Sequence, residues 1–297
     1  MVYKVRGPFG VLGRRKVAIR LTVGRGAEER RGPEDGREER MEVDLGGGVA
    51  VVTGAAQGIG AEIAALAAAS GAGGLLLTDR NGALGREVAA RLSSSCPVAF
   101  VEADLAEVDG ARAVIAGALE RFGRIDMLVN AAGITDRASF LDGTEAVWDR
   151  LFAVNARAPY FLMQGAIADM LARGAPGAIV NIASINAHCG APDLAIYSAT
   201  KGALVTLTRN AANAHLRDRI RVNAINVGWT LTPAEIVMQV ETLGHGQAWL
   251  DEVVRNRPLG RMLEPGEVAR LAVYLMSGAS GLMTGAVIDL EQRVIGA

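Results

Sequence analysis

Val49-Ala50-Val51-Val52-Thr53-Gly54-Ala55-Ala56-Gln57-Gly58-Ile59-Gly60 is a short, wholly apolar run closed by a glycine-rich turn, and a helical pattern from Glu62 to Ser70 follows it. Strand, turn and helix in that order let backbone amides and a helix N-terminus approach a pyrophosphate with no side chain in the way. With 37 glycines in 297 residues, a G-x3-G-x-G spacing arises by chance about 0.6 times. Its weight therefore comes from its position, and from Asp79, which ends the next apolar run nineteen residues after Gly60. A carboxylate there accepts hydrogen bonds from ribose hydroxyls and repels a 2′-phosphate, so NAD is expected over NADP. Arg80 is the opposing consideration, because a guanidinium beside that pocket can hold the phosphate. No Lys follows the glycines, which excludes a triphosphate-binding P-loop.

Outward from this unit the alternation continues. Strands are expected at Leu75 to Thr78, Ala99 to Ala103, Ile125 to Val129, Ala178 to Ala183, Arg221 to Asn226 and Ala286 to Asp289. Each is short and apolar, as in strands buried on both faces. Helix-length segments between them include Val108 to Phe122, Glu145 to Leu171, Ala195 to Leu216 and Pro265 to Met276. The expected fold is a Rossmann-type doubly wound parallel α/β sheet of about seven strands, helices on both faces, in a single domain, with its site at the carboxyl ends of the strands.

Composition narrows the function. Residues 1–40 carry eleven basic and six acidic side chains, a net of +5, whereas residues 41–297 carry twenty against twenty-six, a net of −6. The acidic balance of the main region argues against nucleic acid as partner. Glu28 to Arg40 is almost entirely charged residues, Gly and Pro, which cannot bury enough apolar surface to order itself. Residues 1–40 are accordingly expected to be disordered or to precede the true translation start at Met41; a transit-like or nucleic-acid-binding arm is the alternative. The two uncharged stretches Ala175 to Pro192 and Leu271 to Ile288 are broken by Pro, Asn or Gly, so no membrane span is expected. Cys96 and Cys189 form no C-x-x-C, and the three histidines are scattered, so neither a disulfide framework nor a metal site is indicated. A reducing, cytoplasmic setting fits. Cys189 is expected to be a small buried filler.

The sharpest chemical signal is Tyr197-Ser198-Ala199-Thr200-Lys201. Residues four apart share a helical face, and four tyrosines with three lysines in this chain give such a pair by chance only about 0.04 times. Of the twenty basic residues after Met41, Lys201 alone is Lys. A tyrosine that exchanges protons near neutrality needs its pKa lowered about three units, and an ammonium at about 5 Å with an effective dielectric of about 20 supplies about 3 kcal/mol of the roughly 4 required. Lys201 is expected to do this.

With these residues in place, the region from Met41 to Ala297 resembles the short-chain dehydrogenase/reductase family. It carries that family's T-G-x-x-x-G-x-G at Thr53 to Gly60, the acidic position at Asp104-Leu105, N-A-A-G at Asn130-Ala131-Ala132-Gly133, and Y-x-x-x-K at Tyr197 to Lys201. The resemblance implies that Ser184 holds the substrate oxygen, that Tyr197 takes its proton, and that Asn155 completes a water relay with Lys201. It places the cofactor on Gly54, Gln57, Gly58, Ile59 and Gly60, on Asp79 and Arg80, and on Asp104 and Leu105 at the adenine. It adds Asn130, Ala131 and Gly133, then Tyr197 and Lys201 at the ribose, then Gly228, Thr230 and Thr232 near the carboxamide. Asn130 is also expected to hold the Ala131 to Gly133 turn; His188, on the loop between Ser184 and Tyr197, is the lesser candidate for a substrate contact.

Two departures stand out. The family's Pro-Gly after the sixth strand is Val227-Gly228-Trp229 here, and its final Asp-Gly-Gly is Asp289-Leu290-Glu291-Gln292. The segment Leu231 to Arg257, with Glu235, Gln239, Glu241, His245, Gln247 and Trp249, and with Trp229 just before it, reads as a lid suited to a sugar or polyol. The expected activity is an NAD-dependent oxidoreductase interconverting a secondary alcohol and a ketone or lactone, with a small-molecule substrate and a homotetrameric assembly. The alternatives are an NADP-dependent 3-oxoacyl thioester or other carbonyl reductase, and a non-enzymatic NAD sensor. Asp79 and the acidic balance weigh against the first, and the joint presence of Asn155, Ser184, Tyr197 and Lys201 against the second.

Overall fold

The computed structural model describes residues 43–246 and 248–294; the expectations for residues 1–40 and for Gln247 lie outside them. Seven strands form one sheet in the order β3-β2-β1-β4-β5-β6-β7. They are β1 (Val49–Thr53), β2 (Gly74–Asp79), β3 (Val98–Glu102), β4 (Met127–Asn130), β5 (Gly177–Ile182), β6 (Ile220–Val227) and β7 (Val287–Leu290). Every neighbouring pair is parallel. The order reverses between β1 and β4, which opens a crevice at their carboxyl ends.

One face is covered by α1 (Gly58–Ala69), α2 (Gly82–Leu92) and α9 (Pro265–Met276), which bury Ile63, Val88, Val268 and Leu275 against Val52, Leu75 and Val180. The other is covered by α3 (Val108–Phe122), α5 (Ala158–Arg173) and α6 (Ala195–Ala214), which bury Val114, Leu162 and Ala212 against Val51, Leu128 and Val222. Successive β1 side chains thus enter opposite cores, the reason its sequence is apolar at every position.

The expected elements are present, with shifts at their ends. Helices Val108–Phe122 and Pro265–Met276 begin and end where read. The first helix starts at Gly58, not Glu62, because the glycine turn runs directly into it. The long helix expected from Glu145 to Leu171 is instead α4 (Glu145–Phe152), a π-helical turn (Ala153–Arg157) and α5. Asn155 sits in the π turn. Its Nδ2 donates to Ile134 O at 2.9 Å and its Oδ1 accepts from Ile134 N at 2.9 Å, so a tertiary anchor accompanies the extra residue in that turn.

Of the two uncharged stretches, the first forms β5 and a 3-10 turn (Ile185–Ala187), and the second forms the end of α9 and part of β7. Among the described residues no helix is long and apolar enough to cross a membrane. None holds a group of three metal-ligating side chains.

The glycine turn makes a stability prediction. A Cβ on Gly60 would lie 2.2 Å from Gly54 O and 2.7 Å from Gly54 C, both backbone atoms that cannot swing aside. Gly60→Ala is expected to cost about 3 kcal/mol, read as a lowered urea midpoint together with lost dinucleotide binding. An unchanged midpoint would show that the turn can open to admit the methyl.

Candidate active site

The crevice begins at β1. Thr53 Oγ1 accepts from Ala131 N and Ala132 N, each at 3.0 Å, and so fastens the segment after β4 beside the glycine turn. This corrects the expectation for Asn130, whose Nδ2 donates to Asn181 Oδ1 at 2.7 Å across the β4–β5 pair and does not hold the turn. Asn130 Oδ1 is buried with no partner, an acceptor left at the floor of the crevice. Gly54 stands at φ +65°, and a Cβ there would press on the Ala132 backbone at 2.8 Å, so the two loops touch only because this residue is glycine. Gln57 precedes α1 without a side-chain capping bond, leaving the first amides of the helix to whatever lies in the turn. Gly58 faces Thr232, whose Cγ2 would lie 3.4 Å from an added Cβ; Ile59 packs against the core and Gln57 is exposed.

At the end of β2, Asp79 Oδ2 accepts from Ala56 N at 3.1 Å and Oδ1 from Asn81 N at 2.9 Å. It braces the glycine turn and keeps lone pairs for a further donor. Arg80 is exposed beside it. Asp104 is exposed and accepts from Ala106 N at 2.8 Å, and Leu105 is buried against α3. Beyond β6, Thr230 donates to Gly228 O at 3.0 Å and pairs with Leu263, while Thr232 caps α7 (Pro233–Val237) through Glu235 N at 3.1 Å. Val227-Gly228-Trp229 therefore replaces Pro-Gly without freeing the threonines.

Ser184, Tyr197, Lys201 and Asn155 are all buried and converge at the carboxyl end of β5. Ser184 caps the 3-10 turn by accepting from Asn186 N at 3.2 Å and from Asn186 Nδ2 at 3.3 Å, and its hydroxyl acts on the Tyr197 phenol in the direction that favours ionisation. Lys201 Nζ lies 5.7 Å from the Tyr197 ring centroid and donates to Ile182 O at 2.9 Å. A Cβ on Gly133 would lie 3.3 Å from Lys201 Nζ and 3.4 Å from Asn155 Oδ1, so the N-A-A-G segment is the floor on which the lysine and asparagine meet. Asn155 Nδ2 also bonds Thr200 Oγ1 at 3.1 Å, which joins the π turn to α6. Thr53 was marked only as the first residue of the glycine motif and Thr200 only as a spacer in Y-x-x-x-K; the role of each comes from a tertiary hydrogen bond.

The electrostatics reverse one expectation. Burial pushes the Tyr197 phenol up to about 12, opposed by the Ser184 hydrogen bond, with Glu235 pushing it further up and Arg137 pulling it down. Burial also pushes the Lys201 ammonium down to about 8. Both side chains are removed from water, and desolvation, the largest influence on each, disfavours both charged forms.

His188 Nε2 lies 2.9 Å from Asp289 Oδ1 and 3.2 Å from Asn226 Nδ2, so this nitrogen is engaged between β6 and β7. Cys189 is exposed and is no filler, since the loop it sits on after the 3-10 turn lies at the surface, with His188, Ala191 and Pro192 exposed beside it; Cys96 is buried. In the altered C-terminal motif Glu291 is buried 3.6 Å from Arg257, and Gln292 Nε2 donates to Arg261 O at 2.6 Å. These contacts tie the end of β7 to the segment between α8 (Trp249–Arg255) and α9.

A family model described as "Enoyl-(Acyl carrier protein) reductase" matches residues 54–292. Galactitol 2-dehydrogenase (L-tagatose-forming) of Cereibacter sphaeroides is 36% identical over 83% of this chain and 94% of its own length. Carbonyl reductase [NADPH] 2 of Sus scrofa is 33% identical over 84% of this chain and 98% of its own. Among solved structures, L-sorbose reductase of Gluconobacter frateurii, complexed with NADPH and L-sorbose, superposes with a TM-score of 0.81 at 30% identity, covering 86% of this chain and all of the other. The chain belongs to the short-chain dehydrogenase/reductase family. It is an NAD(P)-dependent oxidoreductase of the kind that acts on alcohols and carbonyls.

Proposed function

We propose that the protein interconverts a secondary alcohol and a ketone or lactone on a sugar, polyol or similar small polar molecule, with NAD as the preferred cofactor. The observation that carries this is the convergence of Ser184, Tyr197 and Lys201 in one buried pocket at the end of β5. Galactitol and L-sorbose, named with two of the relatives, support the substrate class. Asp79 supports NAD, although two relatives are named with NADPH.

The glycine turn and the partnerless Asn130 Oδ1 fit a dinucleotide lying over β1 and β4. When bound, its nicotinamide supplies the acceptor or donor of hydride. Ser184 and Tyr197 hold the substrate oxygen, and Tyr197 exchanges the proton with it. Lys201, with Asn155 and the Gly133 backbone beside it, carries that proton onward through water. Two unpaired cysteines suit a cytoplasmic protein. The assembly we assign is a homotetramer built partly on the α4, α5 and α6 surface. There Ala153, Ala156, Ala203 and Leu207 line a groove of about 1050 Å³; light scattering that reports a monomer removes that assignment.

The test is cofactor reduction by purified protein against sugars, polyols, simple secondary alcohols and a 3-hydroxyacyl thioester, with NAD and NADP in parallel. Turnover of a polyol with NAD is the expected result. Turnover confined to the acyl thioester with NADP would replace this reading with the thioester reductase, and tight dinucleotide binding without turnover on any compound would replace it with a sensor.

A further inference from the structure

We infer that Asn186 is a positioning residue that sets the direction of hydrogen bonding at Ser184: it fills both acceptor positions of the serine hydroxyl, so that hydroxyl has only its proton to offer the reacting oxygen. This rests on the reading above in which Ser184 holds the substrate oxygen.

Ser184 stands just past the end of β5 with extended backbone and opens the 3-10 turn Ile185–Ala187. Its buried Oγ accepts from Asn186 N at 3.2 Å and from Asn186 Nδ2 at 3.3 Å. A hydroxyl has two lone pairs and one proton. With both lone pairs taken by one neighbour, Ser184 keeps no acceptor position for water or for a substrate hydroxyl, and its O–H points away from Asn186. The pull of Ser184 on the Tyr197 phenol, toward ionisation, is the effect of a donor on the charged form. An amide turned the other way round would do the reverse. Its Oδ1 would capture the serine proton and leave Ser184 only able to accept. The end of the amide that faces Ser184, and not its bulk, therefore decides what the serine can do.

The turn that carries this pair is pinned on both sides. Ala187 N donates to Ser184 O at 2.8 Å and His188 N to Ile185 O at 3.1 Å. Beyond the turn, His188 Nε2 lies 2.9 Å from Asp289 Oδ1, which also accepts from Nδ2 of the buried Asn226 at 2.8 Å. Two residues before Ser184, the Ile182 carbonyl accepts from Lys201 Nζ at 2.9 Å. Asn186 thus acts from a frame tied to β6, β7 and α6.

The reaction has use for a fixed donor. The reacting oxygen is a carbonyl on one side of the reaction and gathers negative charge as hydride moves, so a donor already aimed at it stabilises the transition state without reorienting. A serine free to turn would also present a lone pair to that oxygen. The effect of Asn186 should accordingly fall on kcat.

The experiment measures oxidation of galactitol with NAD, or of cyclohexanol if the wild type turns over no polyol, with dinucleotide binding as the check on folding. It compares wild type with Ser184→Ala, Asn186→Asp, Asn186→Ala and the double variant of Ser184→Ala with Asn186→Ala. Asp keeps the shape of Asn, but its carboxylate only accepts and so takes the serine proton. We expect Asn186→Asp to lower kcat about 100-fold or more with KM within about threefold of wild type. Ala removes one donor and leaves the backbone one, so kcat should fall only about three- to tenfold, and the same change made on Ser184→Ala should alter kcat by less than about 1.5-fold. A mere prop of the turn would be hurt at least as much by Ala as by Asp, and its loss would persist without the serine hydroxyl. Either of those results overturns the inference, as does an Asn186→Asp variant with wild-type kcat beside an impaired Ser184→Ala. If Asn186→Asp fails to bind dinucleotide, the single and double Ala variants decide on their own. Wild-type turnover by Ser184→Ala overturns the reading of Ser184 and this inference with it.

Discussion

The Tyr197→Phe variant is expected to lose about 10³-fold or more in kcat while binding dinucleotide within about threefold of wild type. Phenylalanine keeps the ring that packs against Ala138, Leu151 and Ile196 and removes only the hydroxyl. Any loss then belongs to proton exchange and not to a collapsed pocket. Steady-state turnover together with a fluorescence titration of dinucleotide separates the two. Residual activity above about a tenth of wild type would mean that another group, with Ser184 first in line, handles the proton.

The same hydroxyl makes a pH prediction with a definite sign. Oxidation of an alcohol needs the phenol deprotonated. Burial holds it up at about 12, so the deprotonated fraction grows steadily from neutral into alkaline solution, and kcat/KM for oxidation is expected to climb with it. Reduction of a carbonyl needs the phenol protonated, a form that persists until pH nears 12. Its acid-donating step should not weaken over that range. Lys201, held down to about 8, loses its charge before the tyrosine does. Profiles in both directions check the argument, and an oxidation rate flat across weakly alkaline pH would contradict it.

The fold was legible because its signals are local. Strands buried on both faces read as apolar runs, and Pro265 and Gly123 mark helix ends in the sequence itself. The Tyr197–Lys201 pair was legible for a similar reason, since helical geometry alone sets its spacing. What escaped were properties set by contacts distant in sequence. The π turn at Asn155 needs Ile134, and no Pro or Gly between Glu145 and Ala158 announces it. The fastening of Ala131 and Ala132 falls to Thr53, seventy-eight and seventy-nine residues away. The direction of the Tyr197 and Lys201 shifts depends on how deeply both are buried, a quantity that Coulomb's law at an assumed dielectric left out.

Replacement of Asp79 by Asn is expected to raise the ratio of kcat/KM with NADP to that with NAD by about 10- to 100-fold. A 2′-phosphate placed against the end of β2 meets a full negative charge at Asp79, and an interaction of that kind at the edge of a pocket is worth about 1–3 kcal/mol. Asn removes the charge but keeps one acceptor oxygen. Either Ala56 N or Asn81 N, bonded at 3.1 and 2.9 Å in the native chain, then loses its acceptor. That lost bond should cost about 1 kcal/mol of stability, a second readout that is independent of cofactor. Arg80 stands exposed beside the pocket. With the carboxylate gone it can meet the phosphate, so adding Arg80→Ala to Asp79→Asn should withdraw most of the gain with NADP and leave NAD nearly untouched. If the wild type already prefers NADP, Arg80 outweighs Asp79 in the native pocket; Arg80→Ala alone would then turn the preference toward NAD, and the carboxylate would be left with the structural task of bracing the glycine turn through Ala56.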